Sequence, residues 1–123
     1  AQDGGAEGIV IPGTRFGTDI DLASKKPVFS CDCRYDSYQL KPIIMRDVFE
    51  AFDAVGLIIV SCGGVNCAED ALKMIAAGAS LVQIDEAVML DPSVLDRICS
   101  QLSAAMQRYG IENIKDFVGA AHR

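Results

Sequence analysis

Leu57-Ile58-Ile59-Val60-Ser61-Cys62-Gly63-Gly64 is the stretch on which the architecture turns. Four consecutive aliphatic residues without polar alternation mark a strand covered on both faces, as in a parallel sheet flanked by helices, and predict a strand over 57–61. The glycine pair ends that strand and a helix over 67–77 follows at once. Asn66 stands three residues before Glu69 in the manner of a capping box, Ala68, Leu72, Ile75 and Ala76 form an apolar stripe, and Gly78 stops it. Ser80-Leu81-Val82-Gln83-Ile84 predicts another strand over 80–84, ending at Asp85-Glu86.

The same alternation extends in both directions. Upstream, Ile9-Val10-Ile11 predicts a short strand over 9–11 that stops at Pro12-Gly13. A long excursion over 14–40 follows, in which Thr18 to Leu22 and Pro27 to Ser30 could pair as a hairpin around Ala23-Ser24-Lys25-Lys26. Lys41-Pro42 opens a helix over 42–55, because proline is tolerated in a first turn, and Ile44, Val48, Phe49, Phe52 and Val55 recur at helical spacing. Downstream, Asp91-Pro92 predicts a helix over 92–109 with Asp as cap and Pro at the first helical position. Its buried face would be Val94, Leu95, Ile98, Leu102, Ala105 and Met106. Gly110 closes it, and a terminal helix over 111–118 would pack through Ile114, Phe117 and Val118.

Three strands alternating with helices define an α/β fold over 1–123, about three βα units of a partial TIM (β/α) barrel plus a terminal helix. A closed eight-stranded barrel takes about 250 residues, so three strands leave unpaired edges and half of a layered interior. A covering partner is therefore expected, either another chain or the missing N-terminal half of the barrel, giving an oligomer or a multi-subunit complex.

Half of the 123 residues are apolar, enough for a buried core, and no apolar run approaches the ~20 residues a membrane span needs. The net charge of −6, without a basic cluster, offers nothing to neutralise a nucleic-acid backbone. No signal peptide is visible at Ala1-Gln2-Asp3-Gly4-Gly5, and the missing initiator Met suggests processing, trimming or excision from a longer chain. Five cysteines without secretory context read as reduced thiols of a cytoplasmic protein.

Cys31, Cys33, Cys62 and Cys67 all fall in loops leaving the C-terminal ends of predicted strands. Converging there, with Asp32, Asp85 or Glu86 in place of one thiolate, they could hold zinc or an iron-sulfur cluster; the alternative is ordinary reduced thiols. Cys99, beside Ile98, reads as packing, and His122, being terminal, as exposed and without a role. Phe16, Tyr35 and Tyr38 could stack on a planar ligand or meet another subunit.

Val60-Ser61-Cys62-Gly63-Gly64-Val65-Asn66-Cys67-Ala68-Glu69-Asp70-Ala71, followed by Ala77-Gly78-Ala79-Ser80-Leu81-Val82-Gln83-Ile84, resembles the last two strands of the flavin-dependent dihydroorotate dehydrogenases. The related dihydropyrimidine dehydrogenases share the pattern. Similarity extends over Gly8 to Asp21, the Lys41-Pro42 helix start and the tail from Tyr109 to Gly119. The resemblance implies the C-terminal segment of an oxidoreductase acting on a CH–CH bond of a pyrimidine-type ring, with FMN over the barrel mouth and its phosphate at Gly63 and Gly64. A glycine pair lets backbone N–H groups approach a phosphate, and the following helix N-terminus adds partial positive charge. The plain alternative is a tight strand-to-helix turn.

Three departures bear on that implication. Where the family has Gly-Thr at the end of the last strand, this chain has Asp85-Glu86. Where it has Gly-Gly-x-Ser-Gly before the Lys-Pro helix, this chain has Cys33-Arg34-Tyr35-Asp36-Ser37. A strand-end Asn falls on Gly13, and the catalytic base belongs to the N-terminal half, so no catalytic residue is carried over. Arg34 beside Asp85 and Glu86 could fill the phosphate position as an ion-pair cluster, or be a solvated loop arginine. Three readings follow: a segment of an FMN oxidoreductase, a non-catalytic segment that completes a larger assembly, and a cysteine-ligated metal or iron-sulfur subunit.

Overall fold

The computed structural model describes residues 1–28 and 38–123, together with the backbone of Arg34 and Tyr35. Its centre is a three-stranded parallel sheet of β1 (Gly8–Ile11), β6 (Ile58–Cys62) and β7 (Leu81–Gln83), in the order β1-β6-β7. The excursion between β1 and the first long helix holds two short antiparallel ladders. In one, β2 (Arg15–Phe16) pairs with β5 (Arg34–Tyr35); in the other, β3 (Ile20–Asp21) pairs with β4 (Lys26–Pro27). The second ladder is a hairpin where one was expected, turning through Lys25 at a positive φ of 55°.

The helices alternate with the strands. α1 (Lys41–Ala54) leads into β6, α2 (Ala68–Ala76) lies between β6 and β7, and α4 (Val94–Arg108) follows a five-residue helix, α3 (Glu86–Leu90), which was not anticipated. Among the described residues no helix is long and apolar enough to cross a membrane.

Parallel register lines up the side chains in rows across the sheet: Val10, Val60 and Leu81 form one row, and Ile11, Ser61 and Val82 the next. Because strand side chains alternate between faces, these rows point opposite ways. The face bearing Ile9, Ile11, Ile59 and Val82 packs against Ile44 and Val48 of α1, Ala71 and Met74 of α2, and Val94 and Ile98 of α4. The other face is largely open, with Val60 half-buried and Cys62 buried at its C-terminal end. Val10 is 56% exposed, Ile58 53% and Leu81 59%, although all three are aliphatic residues in strands. A sheet covered by helices on one side and apolar but open on the other is one sector of a (β/α) barrel viewed from inside.

Both α2 and α4 end in glycine-based Schellman turns. The Ala79 N–H donates to the Met74 carbonyl and the Gly78 N–H to Ile75, and likewise Ile111 to Met106 and Gly110 to Gln107. Gly78 (φ 123°) and Gly110 (φ 66°) take the positive φ this requires.

Several sequence expectations are corrected. The N-cap of α2 is Cys67 rather than Asn66, and Glu69 does not close a capping box. Asp70 reaches back to the Asn66 N–H at 3.2 Å, while Glu69 accepts from Arg108 of α4 at 3.1 Å. The last long helix starts at Val94 behind Ser93, because Asp91 turns the chain ahead of it by accepting from the Ser93 N–H and hydroxyl. No helix forms over 111–118. Asn113 takes the Lys115 N–H and donates to Asp116, and the Asp116, Phe117 and Val118 N–H groups bond three residues back, so the tail runs as successive turns to a 3₁₀ helix at Ala120–His122.

His122 is neither exposed nor idle. Its ring stacks on Phe49 at 3.8 Å between centroids, Nδ1 lies 3.0 Å from Asp53 Oδ1, and Nε2 lies 3.0 Å from the Ala77 carbonyl. Next to it, Phe52 is wedged between Gly78 and Gly119. A Cβ on either glycine would fall within 2.5 Å of the Phe52 side chain. Cys99, expected in the core, is exposed, because it lies on the outer face of α4 rather than beside the buried Ile98.

Candidate functional site

The C-terminal ends of β1, β6 and β7 converge with the start of α1. β6 ends in Cys62, and the chain turns through Gly63 (φ 86°) and Gly64 (φ 69°), two consecutive left-handed residues that favour glycine. Both are buried within this chain. The Gly63 N–H donates to the Gln83 carbonyl at 3.1 Å, continuing the β6–β7 ladder beyond the strand. A Cβ on Gly64 would lie 3.0 Å from Cα and Cβ of Lys41, so the turn is pressed against the first residue of α1. Gly13, at the end of β1, meets the same turn. A side chain there would stand 2.5 Å from the Cys62 carbonyl oxygen and 3.2 Å from Gly63 Cα, which leaves no room for an asparagine.

An ion pair braces the turn from outside. Lys41 Nζ donates to Asp70 Oδ1 at 2.8 Å and to the Tyr38 hydroxyl at 2.6 Å, and lies over the Tyr38 ring at 4.4 Å from its centroid. That face of Tyr38 is thus occupied by an ammonium group, while Phe16 is 71% exposed. Burial pushes the Asp70 carboxyl up, but hydrogen bonds from Lys41, the Asn66 N–H and Cys67 outweigh it and hold Asp70 below the usual carboxylate range. For Lys41, burial pulls down, while the bonds to Asp70 and Tyr38 prevail and leave the ammonium held more tightly than usual. Burial also pushes the Cys67 thiol up, disfavouring the thiolate a metal would require.

At the end of β7 the two acidic residues have partners of their own. The Cys62 thiol donates to Asp85 Oδ2 at 3.6 Å, and Glu86 Oε1 accepts the Tyr38 N–H at 2.6 Å. Asp85 thereby ties β7 to β6, and Glu86 ties the start of α3 to the segment ahead of α1. The expected partner of this pair, Arg34, lies in β5, and its side chain falls outside the described residues, as do Cys31 and Cys33. Cys62 and Cys67 have different surroundings, one at the strand-end acid and the other at the N-cap of α2. Among the described residues no three His, Cys, Asp or Glu side chains are gathered as a metal site.

Of the sequence candidates, Gly63, Gly64, Asp85 and Glu86 thus share one end of the sheet. The sequence reading missed Lys41 as more than a helix start, missed Asp70, and took Tyr38 as a stacking or subunit-contact aromatic rather than as a partner of Lys41. A signal for Asp70 was present: an acidic residue three positions after the N-cap is placed to reach back to the backbone before it.

This architecture, parallel strands with helices on one face and a glycine turn at their C-terminal ends, defines a (β/α)-barrel protein with its functional end at the strand termini. The chain belongs to the dihydroorotate dehydrogenase family, whose model matches residues 6–106. It is 34% identical over 119 residues to the catalytic subunit of dihydroorotate dehydrogenase B (NAD(+)) of Pelobacter propionicus, covering 96% of this chain and 39% of that protein. It is 33% identical over 117 residues to dihydroorotate dehydrogenase A (fumarate) of Limosilactobacillus reuteri, covering 94% and 38%. The chain therefore spans about two fifths of the length of these curated relatives. In fold it follows the dihydroorotate dehydrogenase of Eimeria tenella solved in complex with ferulenol, with a TM-score of 0.78 and 24% identity over 99% of this chain and 33% of that one.

Members of this family are flavin enzymes, so the residues present can be set against a flavin phosphate. They do not fit one. The Gly63 N–H is already given to Gln83, the space above Gly64 is filled by Lys41, and the end of β7 presents two carboxylates where donors would be needed. A unit negative charge about 4 Å from a phosphate charge costs about 4 kcal/mol at an effective dielectric near 20, and here there are two.

Proposed function

We propose that this chain supplies the closing staves of a dihydroorotate dehydrogenase-type barrel, the remaining staves coming from another chain or from further sequence of the same protein. The observation that carries this reading is the exposure of Val10, Ile58 and Leu81, one on each of three paired strands, on the face away from the helices, with Val60 half-buried between Val10 and Leu81. Fully burying an aliphatic side chain is worth about 1.5–3 kcal/mol, so three that stand half or more in water carry a penalty that barrel closure removes. Among the described residues the outer edges of β1 and β7 are unpaired, which favours the same covering, because each can accept a further parallel strand.

The family brings to such a barrel the oxidation or reduction of a CH–CH bond in a pyrimidine-type ring, in a reducing, cytoplasmic setting. Among the described residues this chain contributes architecture: β6 and β7 form two adjoining staves, with the Lys41–Asp70 pair holding α1 against the turn between them.

A second reading, a non-catalytic segment that completes a larger assembly, is favoured by the engagement of Asp85 with Cys62 and of Glu86 with Tyr38 at the position a phosphate would need. Both readings require closure. A Val60→Asp substitution, made in the native-length protein, should abolish assembly with the completing staves or expose surface that binds a hydrophobic dye. If the 123-residue chain is instead a monodisperse monomer that binds no such dye, and Val60→Asp leaves its unfolding unchanged, the closing-stave reading is wrong.

A further inference from the structure

We propose that the strand-end acids Asp85 and Glu86 close this end of the barrel to phosphorylated ligands, so that a flavin taken up by the assembled protein is not anchored through its phosphate at these staves. The inference rests on the closing-stave reading and concerns the same strand ends.

Three features support it. First, the acids are built into the fold rather than free to swing aside. Asp85 Oδ2 lies 3.6 Å from the Cys62 sulfur, and Glu86 Oε1 holds the Tyr38 N–H at 2.6 Å, a contact spanning 48 residues. Turning either carboxylate away would break a contact between elements. Second, the first of the two backbone donors of the glycine pair is spent, since the Gly63 N–H completes the ladder to Gln83 at 3.1 Å. Third, among the described residues the cation beside the turn is already neutralised. Lys41, whose Cα approaches the Gly64 turn, gives its ammonium to Asp70 at 2.8 Å and to Tyr38. A phosphate at the turn would therefore meet two like charges without a free counter-charge among these residues.

The chemistry separates ligands by their phosphate alone. Riboflavin and FMN share the ring and ribityl chain and differ only in that group, so the assembled native-length protein is titrated with each and ring fluorescence is followed. The expected result is no preference for FMN over riboflavin: either neither binds, or both bind within about threefold. In an Asp85→Asn, Glu86→Gln variant, which keeps the shape and the acceptors but removes both charges, preference should shift toward FMN by about tenfold or more, about 1.4 kcal/mol. Protein that purifies with stoichiometric FMN, or that prefers FMN by tenfold or more before any substitution, overturns the proposal. So does a folded double variant whose preference does not move. Barrel closure is checked separately, by protection from hydrogen exchange of the Leu81 amide, which alternates with the Ser80 N–H bonded to Ile59 and so faces the outer edge of β7. An open barrel sinks the underlying reading, whereas a closed barrel that prefers FMN sinks only this one.

Discussion

Lys41 and Asp70 form an ion pair at 2.8 Å that joins the first residue of α1 to the first turn of α2, and the Asp70 side chain is 3% exposed. Removing one partner of a buried pair leaves the other charge without compensation, at a cost of about 3–5 kcal/mol. Asp70→Asn should lower stability by that order and should loosen the Asn66 N–H, which the carboxylate also holds. Urea unfolding of the variant beside the parent checks this.

The same pair sets a pH dependence with a definite sign. Asp70 is held below its ordinary value when folded, so its contribution is present above the range where an unfolded aspartate titrates and is lost as pH falls through the lower folded value. Lys41 is held above its ordinary value, so its contribution is present below the unfolded lysine range and is lost as pH rises through the higher folded value. Stability should therefore fall on both the acid and the alkaline side, and Asp70→Asn should flatten both limbs. Melting temperature against pH for the two proteins is the measurement.

Gly13 should tolerate no side chain. A Cβ 2.5 Å from the Cys62 carbonyl meets backbone, which cannot rotate away, and one or both strand ends would have to shift. Overpacking of this kind costs about 1–3 kcal/mol. Gly13→Ala should lower the melting temperature, whereas Gly56→Ala, where nothing lies within 4 Å, should not by this mechanism.

The C-terminal tail should act as a clasp on α1. His122→Ala removes the stack on Phe49, worth about 0.5–1.5 kcal/mol, and two polar contacts, to Asp53 and to the Ala77 carbonyl. Faster amide exchange across Ala120–His122, with lower overall stability, is the expected result. Unchanged exchange there would show that the tail is held by Phe52 and Gly119 alone.

Ser61 is fully buried on the helix side of β6, and its hydroxyl has no hydrogen-bond partner among the described residues. An unpaired buried hydroxyl costs about 1–3 kcal/mol, so Ser61→Ala should be neutral or stabilising in thermal unfolding, against the usual trend for core truncations.

The amino-acid order by itself determined the succession of strands and helices and many of their stops. An aliphatic run such as Leu57 to Val60, a Lys41-Pro42 opening and glycines at 78 and 110 act through backbone conformation and local periodicity, which need no distant partner. Tertiary structure alone decided the rest. Lys41 meets Asp70 across 29 residues, Cys62 meets Asp85 across 23, and His122 reaches Ala77 across 45. A terminal histidine, a helix-start lysine and a strand-end acid look ordinary in sequence, because what each does depends on which group the fold brings opposite it. The helix expected over 111–118 failed for a related reason: the apolar spacing of Ile114, Phe117 and Val118 was present, but Asn113 and Asp116 spent their side chains on turns, and Gly119 placed the chain end against Phe52.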